Sequence, residues 1–237
     1  MNIKLIDKLK ETYTSFFEEE KHVTYLYGSQ AYDMARNTSD LDLVTIVDNI
    51  SPQKLENLIS YVIDLHKKHG LEIDNEVPHE KKLVVPFDMM NFAVEGRGFH
   101  YSEGKVIVPT LEKSEAYLSS NELMYRILLN TITGKTLLIS GDQKLLEDYK
   151  NKGWDTMFRV MWNLHNEELS VRDLVQKLIG TPNRQGEAYM GYKDKAKIRE
   201  FLEHEVEKRL RDYEKKGLLW SKNERFKPID EDFITLI

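Results

Sequence analysis

The chain has 237 residues, of which 41% are hydrophobic and 31% charged, and this composition excludes a wholly disordered or fibrous protein. Its 34 basic and 40 acidic side chains give a formal charge of −6, which disfavours a sequence-blind binder of long nucleic acid. It contains no cysteine, so disulfide scaffolds, thiolate metal sites and cysteine nucleophiles are excluded. We expect a cytoplasmic protein, because no apolar run approaches the roughly 18 residues of a membrane span and the start of the chain is too charged for a secretory signal.

Residues 1–112 are predicted to form an α+β domain. Helical spacing of apolar residues indicates an opening amphipathic helix of about four turns. A second helix is predicted to begin at Ser51 and Pro52 and to end at Gly70, since these residues are typical of helix starts and stops. Patterns rich in β-branched and apolar residues predict strands at 23–27, 41–47, 71–77, 83–87 and 106–108.

Residues 113–237 are predicted to form an all-helical C-terminal domain. Apolar residues recur at helical spacing around 123–129 and 145–164. A capping-box pattern at Ser170 and Asp173 predicts a helix over 171–179, and a long charged helix is predicted over 194–216. The segment Leu137–Gly141 is interpreted as part of a structural turn, and residues 180–193 as a loop.

Two aspartates follow a short polar stretch after the first predicted strand. Asp40 and Asp42 are two residues apart at the start of the second strand, so their carboxylates are expected on the same face. At about 4 Å and an effective dielectric near 20 they would repel by roughly 4 kcal/mol, which a divalent cation would reverse. Carboxylate oxygens favour Mg²⁺ or Mn²⁺ over zinc.

A third carboxylate is available from the predicted strand 71–77. Glu72, Asp74 and Glu76 alternate with apolar residues and form one acidic face, and we choose Asp74 because it is central. Three such acids would hold two metals about 3.5–4 Å apart for an in-line phosphoryl displacement. His66 and His69 have no third ligand in view and are interpreted as surface residues.

The predicted strand 23–27 leads directly into Gly28 and Ser29. A glycine lets backbone N–H groups approach a phosphate, a helix beginning there would point its positive dipole end at that phosphate, and Ser29 can add a hydroxyl donor. Arg36, between this turn and the acids, either reaches a phosphate or is solvated.

The arrangement Gly28-Ser29, ten residues, then Asp40-Leu41-Asp42-Leu43 resembles the signature of the DNA polymerase β-like nucleotidyltransferase superfamily. The resemblance implies a mixed sheet with flanking helices, here followed by the helical C-terminal domain. It implies a nucleoside triphosphate at Gly28 and Ser29, and Mg²⁺ on three acids. It further implies transfer of a nucleoside monophosphate to an acceptor with release of pyrophosphate.

We therefore expect an enzyme that moves AMP from ATP to a hydroxyl or amine of a small molecule. Asp40, Asp42 and Asp74 would hold the metals, and Asp74 would help to deprotonate the acceptor. Tyr189, Tyr192 and Lys193 of the predicted loop would contact the acceptor. Small members of the superfamily resemble either antibiotic nucleotidyltransferases or minimal nucleotidyltransferases paired with toxins, so a tRNA or protein acceptor is an alternative. A catalytically idle, nucleotide-binding regulator is another.

Overall fold

The computed structural model describes residues 3–72, 84–103, 105–107, 120–180, 192–193 and 195–230. Within these ranges the helices are α1 (Ile3–Phe16), α2 (Gly28–Ala31), α3 (Pro52–His69), α4 (Phe87–Val94), α5 (Ser120–Thr133), α6 (Gln143–His165), α7 (Val171–Leu178) and α8 (Ala196–Lys215). The strands are β1 (His22–Tyr27), β2 (Asp42–Val47), β3 (Val84–Val85), β4 (His100–Ser102), β5 (Lys105–Ile107), β6 (Leu137–Gly141), β7 (Leu169–Ser170), β8 (Ile179–Gly180), β9 (Tyr192–Lys193), β10 (Leu219–Lys222) and β11 (Arg225–Pro228).

The largest sheet has the strand order β3-β2-β1-β6. β1 pairs antiparallel with both β2 and β6, whereas β3 runs parallel to β2, so the sheet is mixed. α1 and α3 cover it, because their apolar faces share one buried cluster with the strands: Leu5, Ile6, Leu9, Tyr13, Phe17, Leu26, Leu41, Leu43, Val47, Leu58, Val62, Leu65 and Ile139. The expected α+β class is confirmed.

The predicted ends of α3 are also confirmed. The Ser51 hydroxyl accepts a hydrogen bond from the Lys54 N–H at 3.2 Å, and Pro52 occupies the first turn. Gly70 adopts the left-handed conformation, and its N–H bonds to the last carbonyls of the helix. The apolar stripe of α3 faces the sheet, so the helix is fixed at both ends and along one side.

The interpretation of Leu137–Gly141 as a turn was wrong. It is β6, a strand at one edge of the largest sheet, and its Ile139 lies in the buried cluster. The buried Ser140 hydroxyl lies 3.0 Å from Nε2 of His22. A β-carbon on Gly141 would overlap the carbonyl oxygen of His22, so a glycine is required where the strand passes β1. Long-range pairing with β1, which no local pattern reveals, decides this structure.

The prediction of an all-helical second half was wrong as well. β10, β11 and β7 form a three-stranded sheet in residues 169–228. The hairpin β10–β11 turns at Asn223 and Glu224, whose φ angles are 50° and 60°, as a tight two-residue hairpin turn requires. Because Glu224 stands where glycine is usual, the turn is not evident in the sequence.

Two of the smaller predicted strands differ in extent from the structure. Residues 83–87 were predicted as one strand, but among the described residues 84–87 β3 covers Val84–Val85, and α4 begins directly after Pro86. Proline cannot donate to the ladder, which ends the strand there. Leu71 and Glu72 belong to no regular element, and residues 73–77 lie outside the described residues.

The chain divides into two compact units that alternate along the sequence. Unit 1 comprises Met1–Asn91 and Gly134–Lys150, and unit 2 comprises Phe92–Thr133 and Asn151–Ile237. In unit 2 the rings of Trp154, Phe158 and Trp162 follow one another on α6 with centroids 5.7 Å apart. The predicted boundary at 112 lies outside the described residues and stays a prediction. Among the helices that are described, none is long and apolar enough to cross a membrane.

Candidate functional site

The chain leaves β1 through a tight turn at Gly28 and Ser29, here called the Gly-Ser turn. Gly28 has φ +68°, in the left-handed region. The turn continues into α2, closed by bonds from the Tyr32 N–H to the Gly28 carbonyl (3.3 Å) and from the Met34 N–H to the Ser29 carbonyl (2.9 Å). The expected helix start is therefore present, but its four residues are too few for a substantial macrodipole. Any anion at this turn has to be held by local donors.

The Gly-Ser turn lies directly against Asp42. Tyr27, the residue before the turn, pairs with Asp42 at the end of the β1–β2 ladder. A β-carbon on Gly28 would overlap Oδ2 of Asp42 and lie 2.8 Å from its Cγ. The Asp42 carboxylate thus occupies the space that glycine leaves open, so the turn and this acid adjoin in the structure.

Asp40 lies two residues before β2 begins at Asp42, in what we call the acid segment, residues 38–42. Asp40 and Asp42 are both half-buried, while Leu41 between them is buried in the core. The Gln30 side chain of α2 donates to the Ser39 carbonyl at 3.2 Å. The acid segment is thereby tied to the helix that follows the Gly-Ser turn.

A second set of contacts ties the acid segment to the end of α3. The Leu41 N–H donates to Nε2 of His66 at 3.1 Å. The Glu72 N–H donates to the Thr38 carbonyl at 2.6 Å, and the Thr38 hydroxyl donates to the Glu72 carboxylate at 3.0 Å. His66 is buried, so its interpretation as a surface residue was wrong. No sequence periodicity singles it out, because its partner is a backbone N–H 25 residues away.

Of the three candidates for the third acid, only Glu72 is described. Its carboxylate accepts from Thr38, beside the acid segment. Asp74 and Glu76 lie outside the described residues, so the choice of Asp74 stays a prediction. In the part of the chain that the structure describes, no group of three or more His, Cys, Asp or Glu residues is placed to hold a metal ion.

The structure describes the remaining predicted site residues to different extents. The side chain of Arg36 is exposed. Its backbone N–H donates to the Ser39 hydroxyl at 2.9 Å, and this bond stabilises the acid segment locally. Tyr192 and Lys193 form β9, whose backbone runs parallel to β8, and their side chains lie outside the described residues. Tyr189 also lies outside them.

Lys135 is a cation that sequence reasoning did not place at this site. Leu137 pairs with Leu26 on β1, so the residues before β6 lie at the same end of the sheet as the Gly-Ser turn. The Lys135 N–H donates to the Tyr32 hydroxyl at 3.0 Å, and Nζ lies 3.6 Å from the Asp33 carboxylate. Burial raises the pKa of Tyr32 to about 12, so this hydroxyl stays protonated and neutral.

Comparison of the chain with models of known protein families, with curated proteins and with solved structures gave no match. A functional assignment therefore depends on the geometry and chemistry of unit 1.

Proposed function

We propose that the protein is a metal-dependent nucleotidyltransferase that transfers a nucleoside monophosphate, AMP from ATP in the first instance, to a hydroxyl or amine. The observation that carries the proposal is the contact between Gly28 and Asp42, supported by the acid segment held beside the Gly-Ser turn. The Gly-Ser turn and Asp42 adjoin on neighbouring strands, and their spacing along the chain resembles that of the DNA polymerase β-like superfamily; both observations support the proposal.

The residues present suit Mg²⁺ or Mn²⁺. The donors are carboxylate oxygens, which these hard cations prefer, and Asp40 and Asp42 are half-buried without being removed from solvent. Asp40, Asp42 and the predicted third acid Asp74 would hold the metal. When bound, it would neutralise charge on the phosphates and lower the cost of the developing negative charge.

Each protein group has a role in the proposed reaction. Gly28 and Ser29 bind the triphosphate through backbone N–H groups and a hydroxyl, and Lys135, which is paired with Asp33, is a cation at the same end of the sheet. The acceptor oxygen or nitrogen forms a bond to the α-phosphorus while the bond from that phosphorus to the bridging oxygen breaks. Pyrophosphate leaves with the electron pair, and Asp74 takes the acceptor proton.

The test is the pair of substitutions Asp40→Asn and Asp42→Asn, which keep shape and remove charge. We expect both variants to stay folded and to lose Mg²⁺-dependent binding of a non-hydrolysable ATP analogue in calorimetry. Asp48→Asn is the matched control, because Asp48 is exposed just past the opposite end of β2. Equal affinity in the wild type and both site variants would contradict the proposal.

The acceptor is identified by offering labelled ATP with three separate pools: small metabolites and antibiotics, total tRNA, and lysate protein. We expect label on the small-molecule pool, read by mass spectrometry. Label on tRNA or protein would instead support the toxin-associated alternative. Nucleotide binding with no label in any pool would support the idle regulator.

A further inference from the structure

His66 makes two hydrogen bonds that determine which of its ring nitrogens carries the proton. Its Nδ1 lies 2.7 Å from the Val62 carbonyl, which can only accept, so Nδ1 carries the proton. Its Nε2 therefore presents a lone pair, and it accepts from the Leu41 N–H at 3.1 Å. Both ring nitrogens are occupied by backbone groups. His66 is thus not available as a metal ligand or as a base toward a substrate.

The group that His66 holds is the peptide between Asp40 and Leu41. The Leu41 N–H belongs to the peptide plane whose carbonyl is that of Asp40, so this bond restrains ψ of Asp40 and φ of Leu41. Asp42 follows directly as the first residue of β2. The direction in which the Asp40 carboxylate leaves the backbone therefore depends in part on this buried hydrogen bond, and Asp42 is held in addition by its pairing with Tyr27.

The helix that carries His66 is held in place by buried packing. His66 is on the last turn of α3, where Leu58, Val62 and Leu65 are buried in the core of unit 1. The bonds from Gln30 to Ser39 and between Thr38 and Glu72 hold the acid segment independently. Loss of the His66 bond is therefore expected to displace the carboxylates without releasing the segment.

We propose that His66 is a positioning residue for the acid pair: its neutral imidazole fixes the Asp40–Leu41 peptide so that both carboxylates converge on a divalent cation. The inference rests on the proposed function. Groups that orient the ligands of a metal typically change metal affinity by about 10–100-fold when they are removed. A lost acceptor also leaves the buried Leu41 N–H unpaired.

The experiment measures Mn²⁺ affinity by electron paramagnetic resonance in the presence of a non-hydrolysable ATP analogue, together with thermal unfolding. His66→Leu fills the space without an acceptor, and we expect Mn²⁺ binding at least about tenfold weaker. Glutamine can place an oxygen at the position of Nε2, whereas asparagine reaches only that of Nδ1. We expect His66→Gln to recover binding to within about threefold of wild type and His66→Asn to resemble His66→Leu.

His69→Leu is the matched control, since His69 is exposed on the same turn of α3, and it should leave Mn²⁺ affinity unchanged. A His66→Leu variant with lowered melting temperature but wild-type Mn²⁺ affinity would show a structural role alone and overturn the inference. If His66→Leu does not fold, equal affinities of the Gln and Asn variants would overturn it. Absence of Mn²⁺ binding by the wild type would overturn the proposed function itself, and the inference with it.

Discussion

Gly28 and Gly217 share a backbone conformation but differ in their surroundings. Their φ angles are +68° and +71°, yet a β-carbon on Gly28 would overlap the Asp42 carboxylate, while one on Gly217 would meet nothing within 4 Å. We expect Gly217→Ala to cost only the left-handed penalty of about 1–2 kcal/mol in free energy of unfolding. Gly28→Ala should cost about 1–3 kcal/mol more, because the carboxylate must move.

The same pair separates stability from binding. Gly28→Ala should weaken Mg²⁺-dependent nucleotide binding, since it displaces Asp42, and Gly217→Ala should leave binding unchanged. Urea unfolding and calorimetry check the two quantities. Equal unfolding free energies for the two variants would contradict the close approach of turn and acid.

Much of the candidate site can be predicted from the sequence, but the residues that hold it in place cannot. Gly28 and Asp42 are predictable because the strand, the turn and the acid are close along the chain and follow known spacing. His66 and Gln30 cannot be predicted in this way, because each bonds to a backbone atom of the acid segment. Every residue type has these backbone atoms, so the sequence does not show which side chain they bind. Lys135 is brought to the site only by the pairing of β6 with β1.

Among the helices, α7 depends on a charged cap. The Asp173 carboxylate accepts from the N–H and hydroxyl of Ser170 at 3.0 and 2.8 Å, and the Ser170 hydroxyl accepts from the Asp173 N–H at 3.1 Å. Arg225 on β11 lies 3.2 Å from the same carboxylate. The bond from the Ser170 N–H is the main reason that the pKa of Asp173 lies below its usual value.

A lowered pKa means that Asp173 stabilises the fold above its unfolded pKa, about 3.9, and that this contribution is lost as the pH falls through the folded pKa. We expect Asp173→Asn to cost about 0.3–1 kcal/mol in free energy of unfolding at pH 7, because it removes a negative charge from the first turn of α7. The deficit should shrink below about pH 4. Thermal melts from pH 2 to 7 measure it, with Glu200→Gln on exposed α8 surface as control. A deficit of constant size down to pH 2 would show that the charge is not its source.

Elements with local signals are predictable, and elements made by distant pairing are not. The caps of α3 and α7 are specified within four residues, and both are found where the sequence indicates them. β6 and β7 acquire their strand structure from partners far along the chain, β1 and β11 respectively. Their short apolar runs are compatible with turn, helix or strand until those partners are known.

The interleaving of the two units leads to a prediction about fragments. The predicted catalytic domain, residues 1–112, lacks β6, which pairs with β1 and contributes Ile139 to the core of unit 1. We expect this fragment to show no cooperative thermal transition and little amide protection in β1, because β1 would have an open edge. A fragment of residues 1–150 should regain protection in β1. Wild-type protection of β1 in the shorter fragment would contradict this role of β6.

The position of β6 in the sequence also determines when β1 can complete its pairing during synthesis of the chain. β1 ends at residue 27 and its partner β6 begins at residue 137, a separation of 137 − 27 = 110 residues. At a synthesis rate of about 5–20 residues per second, β6 is made roughly 6–20 s after β1. During that interval the strand carries apolar side chains and an unpaired edge toward the cell contents. Slow translation or low temperature lengthens this exposure, so the yield of folded protein should depend on chaperones that act on the nascent chain.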